Sequence, residues 1–218
     1  MKQKQSGFTL IEIAIVLVII GLLLGGVLKG QELINSAKVK NLASDFKNIP
    51  LYIYGYQDKY RSLPGDDKSV TSHASASAVL ATTGGTVGNG IIEGKWDTTT
   101  NTDETFLFWQ HVRMAGLAPG ATDITAAEYL PTNSVGGALG ITNSTTTDAP
   151  ITGMRGSYIV CSNAIAGKFA KQLDTTLDDG NTATGSVQVT AEGTSSGGTA
   201  TATTAIVDDT TYLVCMSL

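Results

Sequence analysis

From Phe8 to Leu28 the chain is an apolar run that carries one charged residue, Glu12. About 20 apolar residues suffice to cross roughly 30 Å of hydrocarbon, so residues 8–28 predict a membrane-crossing or otherwise hydrophobically buried helix. Past Lys29 the pattern changes. Leu42, Phe46, Ile49, Ile53, Tyr56 and Tyr60 step by four, three, four, three and four, which builds one apolar stripe on a helix. Lys38, Lys40, Asp45, Lys47 and Asp58 fall largely off that stripe. Residues 29–62 therefore read as an amphipathic continuation of the same helix, ending near Tyr60 before Leu63-Pro64-Gly65. At 1.5 Å per residue such a helix is about 80 Å long. Pro50 lacks the N–H that would reach Phe46, so a kink or break is expected there. Gly21, Gly25, Gly26 and Gly30 weaken the first half. They suit close helix packing, local melting, or both.

After Asp67 the pattern breaks into short elements between Thr- and Gly-rich loops. Thr102 or Asp103 caps a predicted helix from Glu104 to Ala115, ended by Gly116. Thr125-Ala126-Ala127-Glu128 reads as a capping box opening a second, and Ala164–Leu177 as a third. Ser157–Ser162, Ser186–Thr190, Ala205–Val207 and Thr211–Met216 read as strands. Thr98–Thr102, Thr142–Thr147 and Thr194–Thr204 read as exposed loops. The fold class is α+β: a long N-terminal helix packed on a small antiparallel sheet, with residues 63–218 forming one globular head.

Glu12 needs an explanation, because a carboxylate within a membrane span costs roughly 2.5–3.5 kcal/mol on insertion scales. Lys2 and Lys4 precede the run and orient its N-terminal side toward the cytoplasm. An ordinary signal peptide places a small-residue cleavage site after its apolar core, whereas here Gly7 stands before it. Gly7-Phe8-Thr9-Leu10-Ile11-Glu12 resembles the class III leader junction of type IV prepilins and type II secretion pseudopilins. Direct resemblance extends over Lys4 to Asp67. It implies a leader of residues 1–7, cut between Gly7 and Phe8 by a prepilin peptidase, with N-methylation of the new Phe8 amine. It also implies that Glu12 meets the Phe8 amine of a neighbouring subunit. Two buried opposite charges then offset each other's desolvation, whereas either alone is destabilising. The implied partners are identical or related pilin subunits and an inner-membrane assembly platform. The implied location is the bacterial inner membrane before assembly, and an extracellular or periplasm-spanning filament after it. A low-copy minor pilin, whose Thr-rich loops bind a surface or substrate, is the second expectation.

Composition narrows the rest. The chain carries 14 basic and 19 acidic residues, a net −5, and only 15% of it is charged. That balance does not suggest a nucleic-acid partner, since phosphate contacts need basic patches. No nucleophile elbow, phosphate loop or His-Glu-x-x-His helix occurs, so no enzyme activity is expected. His73 and His111 stand alone, and packing or solvent exposure accounts for His111. Tyr52, Tyr54, Tyr56 and Tyr60 read as core and domain-edge aromatics. Cys161 and Cys215 both lie beyond the membrane segment, flanked by strand-like residues, and a disulfide between them is expected in an oxidising compartment. A zinc site lacks paired ligand spacing. Asn143-Ser144-Thr145 matches the N-glycosylation sequon, a weak signal here. Three acidic loops could hold a hard cation: Leu63–Asp67, Gly88–Gly94, and the group from Asp174 to Ser186. Asp178, Asp179 and Asn181 of the third are the candidate calcium ligands, although Asp, Asn and Gly are also ordinary turn residues.

Overall fold

The computed structural model describes residues 9–145 and 147–218. The chain divides into two compact units, Met1–Lys38 and Val39–Leu218. Helix α1 runs from Leu10 to Tyr60 and contributes to both. In the first unit its large apolar side chains are exposed, Leu10, Leu17, Leu22 and Leu28 among them. The helix is long and apolar enough to cross a membrane. Pro50 lies inside α1, and the helix is not broken there. One lost hydrogen bond and a ring clash are tolerable when packing on both sides of the proline holds the helix.

The second unit is built on the predicted stripe. Leu42, Phe46, Ile49, Ile53 and Tyr56 are wholly buried, and Val39 and Ala43 extend the buried face. They join one apolar cluster with Leu107 and Val112 of α3 (Glu104–Met114) and with Ile141, Val160, Val189 and Val214 of the sheet. Between α1 and α3 lies one short helix, α2 (Val70–His73).

The sheet has four antiparallel strands: β1 (Leu139–Thr142), β2 (Ile159–Ala166), β3 (Val187–Ala191) and β4 (Thr211–Ser217), in the order β1-β2-β4-β3. Alternation along a strand sends neighbours to opposite faces. Val160 and Val214 therefore face the cluster that contains α1, while Ile159, Cys161, Leu213 and Cys215 face a second cluster with Trp96, Ala149, Ile151 and Met154. Cys161 pairs directly opposite Cys215, with Cα atoms 4.1 Å apart, and the two form a disulfide across adjacent strands. Gly140 of β1 lies under the Trp96 carbonyl, where any Cβ would collide with it.

Several local expectations give way to tertiary structure. Residues 125–128 form turns, not a helix. Thr125 N–H and Oγ1 both donate to Asp123 Oδ1, at 2.9 and 2.7 Å, so Asp123 takes the capping role within a turn. Tyr129 then enters the core, where its hydroxyl donates to the Phe106 carbonyl (2.9 Å) and accepts from Gln110 N–H (3.0 Å). The segment predicted as a helix from Ala164 starts as strand: β2 continues to Ala166, and α4 spans Gly167–Leu177. An irregularity between Ser162 and Ile165 allows this, with Ala164 at φ 57° and its N–H turned to the Glu192 carboxylate. Ala205–Val207 is not a strand. Thr203–Ala205 makes a 3-10 turn, Ile206 is buried, and Val207 is exposed with its N–H donating to the Tyr212 hydroxyl. The loop predicted to be exposed at Thr142–Thr147 begins with two buried residues, Thr142 and Asn143. Asn143 Nδ2 donates to the Ile92 carbonyl (2.8 Å), which ties up the sequon's acceptor nitrogen.

Candidate functional site

At the start of α1, Thr9 precedes the first helical residue and Glu12 stands three residues further on. Thr9 N–H and Oγ1 both donate to Glu12 Oε2 at 2.8 Å, and Glu12 N–H donates back to Thr9 Oγ1 at 3.4 Å. This is a reciprocal capping box, placed where the positive end of the helix dipole also favours a carboxylate. Among the described residues, both of the Thr9 donors go to Glu12 Oε2 and none to Oε1. The spacing Thr-Leu-Ile-Glu could have signalled this cap directly. Gly7 and Phe8, the expected cleavage and methylation residues, lie outside the described residues. A Cβ built on Gly21, Gly25, Gly26 or Gly30 meets nothing within 4 Å, so the chain itself leaves that surface open to another helix.

In the head, two of the three acidic loops are committed to the fold. Asp66 Oδ1 accepts from Gly88 and Asn89 N–H, and Asp66 Oδ2 accepts from Gly90 N–H at 2.7 Å. Asp67 accepts from the Tyr56 hydroxyl (2.8 Å) and Ser69 N–H (2.9 Å) and pairs with His73 Nδ1 (2.8 Å). Burial pushes the Asp67 carboxyl up, but these partners outweigh it and hold the group below the usual range. Glu93 Oε2 accepts from Thr86 N–H and Asn89 Nδ2. Gly65 has φ +92°, and a Cβ there would strike the Glu104 carbonyl, so only glycine fits this bend. Its N–H donates to His111 Nδ1 at 2.9 Å, which leaves the ring proton on Nε2 to donate to the Val79 carbonyl at 2.8 Å. His111 is fully buried, and burial lowers its pKa, keeping the ring neutral.

The third loop differs. Asp174, Asp178 and Asp179 bring one carboxylate oxygen each within 4.8 Å of one another. Asp174 lies in the last turn of α4, and Asp178 follows as its C-cap residue, with its N–H donating to the Asp174 carbonyl at 2.7 Å. Asp178 Oδ2 accepts from Ser186 and Val187 N–H at 2.6 and 3.0 Å, which ties the end of α4 to the start of β3. Asp179 Oδ1 accepts from Asn181 N–H (2.8 Å), and Asn181 Oδ1 accepts from Ala183 N–H (3.3 Å). Asp174 is fully buried, and neither of its oxygens has a hydrogen-bond partner. Its pKa is pushed up to about 6, by burial first and then by Asp179 and Asp178, with the nearby Gly180 N–H offsetting part of this. Of the three expected ligands, Asp178 and Asp179 lie together with Asp174, while Asn181 bonds within its turn.

Residues 2–28 match the prokaryotic N-terminal methylation motif. No curated protein and no solved structure matches the chain.

Proposed function

The chain carries the class III prepilin leader of type IV pilins and pseudopilins, and from that premise we propose that it is the precursor of a filament subunit. It is cut after Gly7, N-methylated on Phe8 and polymerised through α1. The observation that carries this reading is an apolar helix, exposed along its first unit, whose one acid takes both Thr9 donors at Oε2 and neither at Oε1. A helix of this kind needs lipid or other helices around it, because exposed apolar surface on this scale marks an interaction site. In the membrane, lipid covers it. In a filament, the corresponding helices of neighbouring copies do.

Cleavage supplies what Glu12 lacks. Before the cut, Phe8 contributes an amide to the chain. After it, Phe8 ends in an amine, and the amine of one subunit is positioned to meet the Glu12 carboxylate of the next. The pair favours correct axial register, because a misaligned subunit leaves a charge buried without its partner. Processing links the protein to a prepilin peptidase that also methylates, and assembly links it to like subunits and an inner-membrane platform.

Two measurements on cells that express the full chain with such a peptidase test this. Mass analysis of the exported form should give an N-terminus at methylated Phe8. Glu12→Val should still be inserted and cleaved, yet be lost from filaments sheared off the cell. Normal recovery of the variant in the sheared fraction would remove the pairing from the account, and exported protein that still holds Gly7 would remove the processing.

A further inference from the structure

Arg113 carries a charge that it cannot shed, and it is only 8% exposed. Among the described residues no carboxylate forms an ion pair with it. Its Nε donates to the Pro119 carbonyl at 3.1 Å, and Nη1 donates to the Ala121 and Tyr129 carbonyls at 2.9 and 2.6 Å. The guanidinium also lies over the Trp109 and Tyr129 rings, 5.7 and 5.2 Å from their centroids. Nη2 donates to nothing among the described residues. Gly120, at φ +124°, leaves room for the group, since a Cβ there would come within 2.6 Å of Nε. The fold therefore holds this cation in place and leaves one nitrogen of it unused. Arg113 lines a hollow of about 200 Å³, and Asp45 of α1 lines the same hollow. Asp45 Oδ2 is buried without a partner, and burial raises the Asp45 pKa although the Ser134 N–H opposes the rise. Two opposite charges, each short of a partner, thus share one hollow without pairing with each other.

We propose that this hollow binds a free α-amino acid with an apolar side chain, its carboxylate on Arg113 and its ammonium on Asp45. A buried charge is costly unless it is paired. An anion alone would serve Arg113 and repel Asp45, and a cation alone would do the reverse, whereas a zwitterion serves both. Guanidinium and carboxylate are matched in shape as well as charge. The hollow is smaller than the roughly 300–1,000 Å³ of drug-sized ligand sites, so its occupant is a small molecule. Ala118, Pro119, Pro131 and Leu139 supply apolar wall for a side chain. A residue within a peptide has neither free group, so the free amino acid is the ligand. Asp45 and Arg113 both belong to the second unit, and the site stands or falls independently of the filament reading.

The test titrates the full-length chain, in non-ionic detergent, with L-leucine, with isocaproate (leucine without its amine), with isopentylamine (leucine without its carboxylate) and with phosphoethanolamine. Leucine should bind once per chain with a millimolar or lower Kd. Isocaproate and isopentylamine should each bind at least about tenfold more weakly, because each leaves one buried charge without its partner. Asp45→Asn keeps the shape of the side chain and removes its charge. It should weaken leucine by at least about tenfold and leave isocaproate unchanged, whereas a purely structural role would shift both alike. Arg113 itself stays intact in this test, since its three carbonyl contacts support the fold. No binding at millimolar leucine, equal binding of leucine and either analogue, tighter binding of phosphoethanolamine, or equal losses of leucine and isocaproate in Asp45→Asn would overturn the proposal.

Discussion

Glu104 is the clearest case of a side chain held against its solution preference. It opens α3 behind Asp103, whose carboxylate is fixed by the Thr83 and Thr98 hydroxyls at 2.6 Å each. Glu104 Oε2 accepts from Glu93 N–H at 2.8 Å, while the buried Oε1 has no partner. Burial raises its pKa from 4.5 to about 7; the Glu93 N–H opposes the rise, and Asp66, Glu93 and Asp103 add to it. A raised carboxyl binds its proton more tightly in the folded state. Its stabilising contribution is therefore complete below the unfolded value and is lost as pH climbs through about 7. The loss has a ceiling of about 3 kcal/mol. Glu104→Gln should remove this component, so that unfolding free energies measured between pH 4.5 and 8 fall less steeply in the variant than in the parent. Equal slopes would show that another group carries the dependence. His111 works in the opposite sense, since a buried neutral ring resists acid, and only the difference between parent and variant isolates Glu104.

At the scale of elements, one short pattern shows what a sequence can and cannot specify. Thr-x-x-Glu occurs at Thr9–Glu12 and at Thr125–Glu128. The first makes a reciprocal cap and opens α1; the second makes turns. The local signal is the same, and the residues next in the chain decide between the two. An uninterrupted apolar run propagates a helix, whereas Tyr129-Leu130-Pro131 has a tyrosine that α3 draws into the core and a proline that blocks continuation. The stripe on α1 was legible by its period, α3 by the cap at Asp103 and the stop at Gly116, and β4 as a continuous run of strand-forming residues, Tyr212–Met216. Strand β1 was not, because it is only four residues long and carries Gly140 in its middle, so neither alternation nor a run of strand formers marks it. The β2–α4 boundary was displaced because Ala164-Ile165-Ala166 suits a helix locally, and only pairing with Tyr212 and Thr211 makes it strand. At the acidic loop, composition pointed to Asp178, Asp179 and Asn181, whereas the burial of Asp174 beside the two aspartates is a property of the folded chain and could not be read from it. The disulfide ties β2 to β4 across a separation of 54 residues. Replacing both cysteines with alanine should cost about 4 kcal/mol by the chain-entropy treatment, read as a lower urea midpoint. Both sulfurs are buried, so reductant should act on the parent only after partial unfolding.

For the whole molecule, the two units draw their stability from different sources. Residues Val39–Leu218 bury their own core, and Ile53 lies within it, wholly removed from solvent. Residues 9–38 bury almost nothing within the chain, so their apolar surface is left to lipid or, under the proposed function, to neighbouring subunits. Defects in the two units should therefore separate cleanly. Ile53→Ala leaves a cavity and should lower head stability by about 2–5 kcal/mol, while cleavage at Gly7 proceeds, because the peptidase meets the chain at the other end of the apolar run. Glu12→Val should do the reverse: the unfolding midpoint of the head in detergent stays at the parental value, cleavage continues, and entry into filaments fails. Head unfolding, cleavage and sheared-filament content, measured for both variants, are the readouts that separate the two defects. A Glu12→Val chain with a destabilised head would mean that the carboxylate supports the fold of the second unit. That would contradict the proposed division of labour, in which one unit assembles and the other folds on its own core.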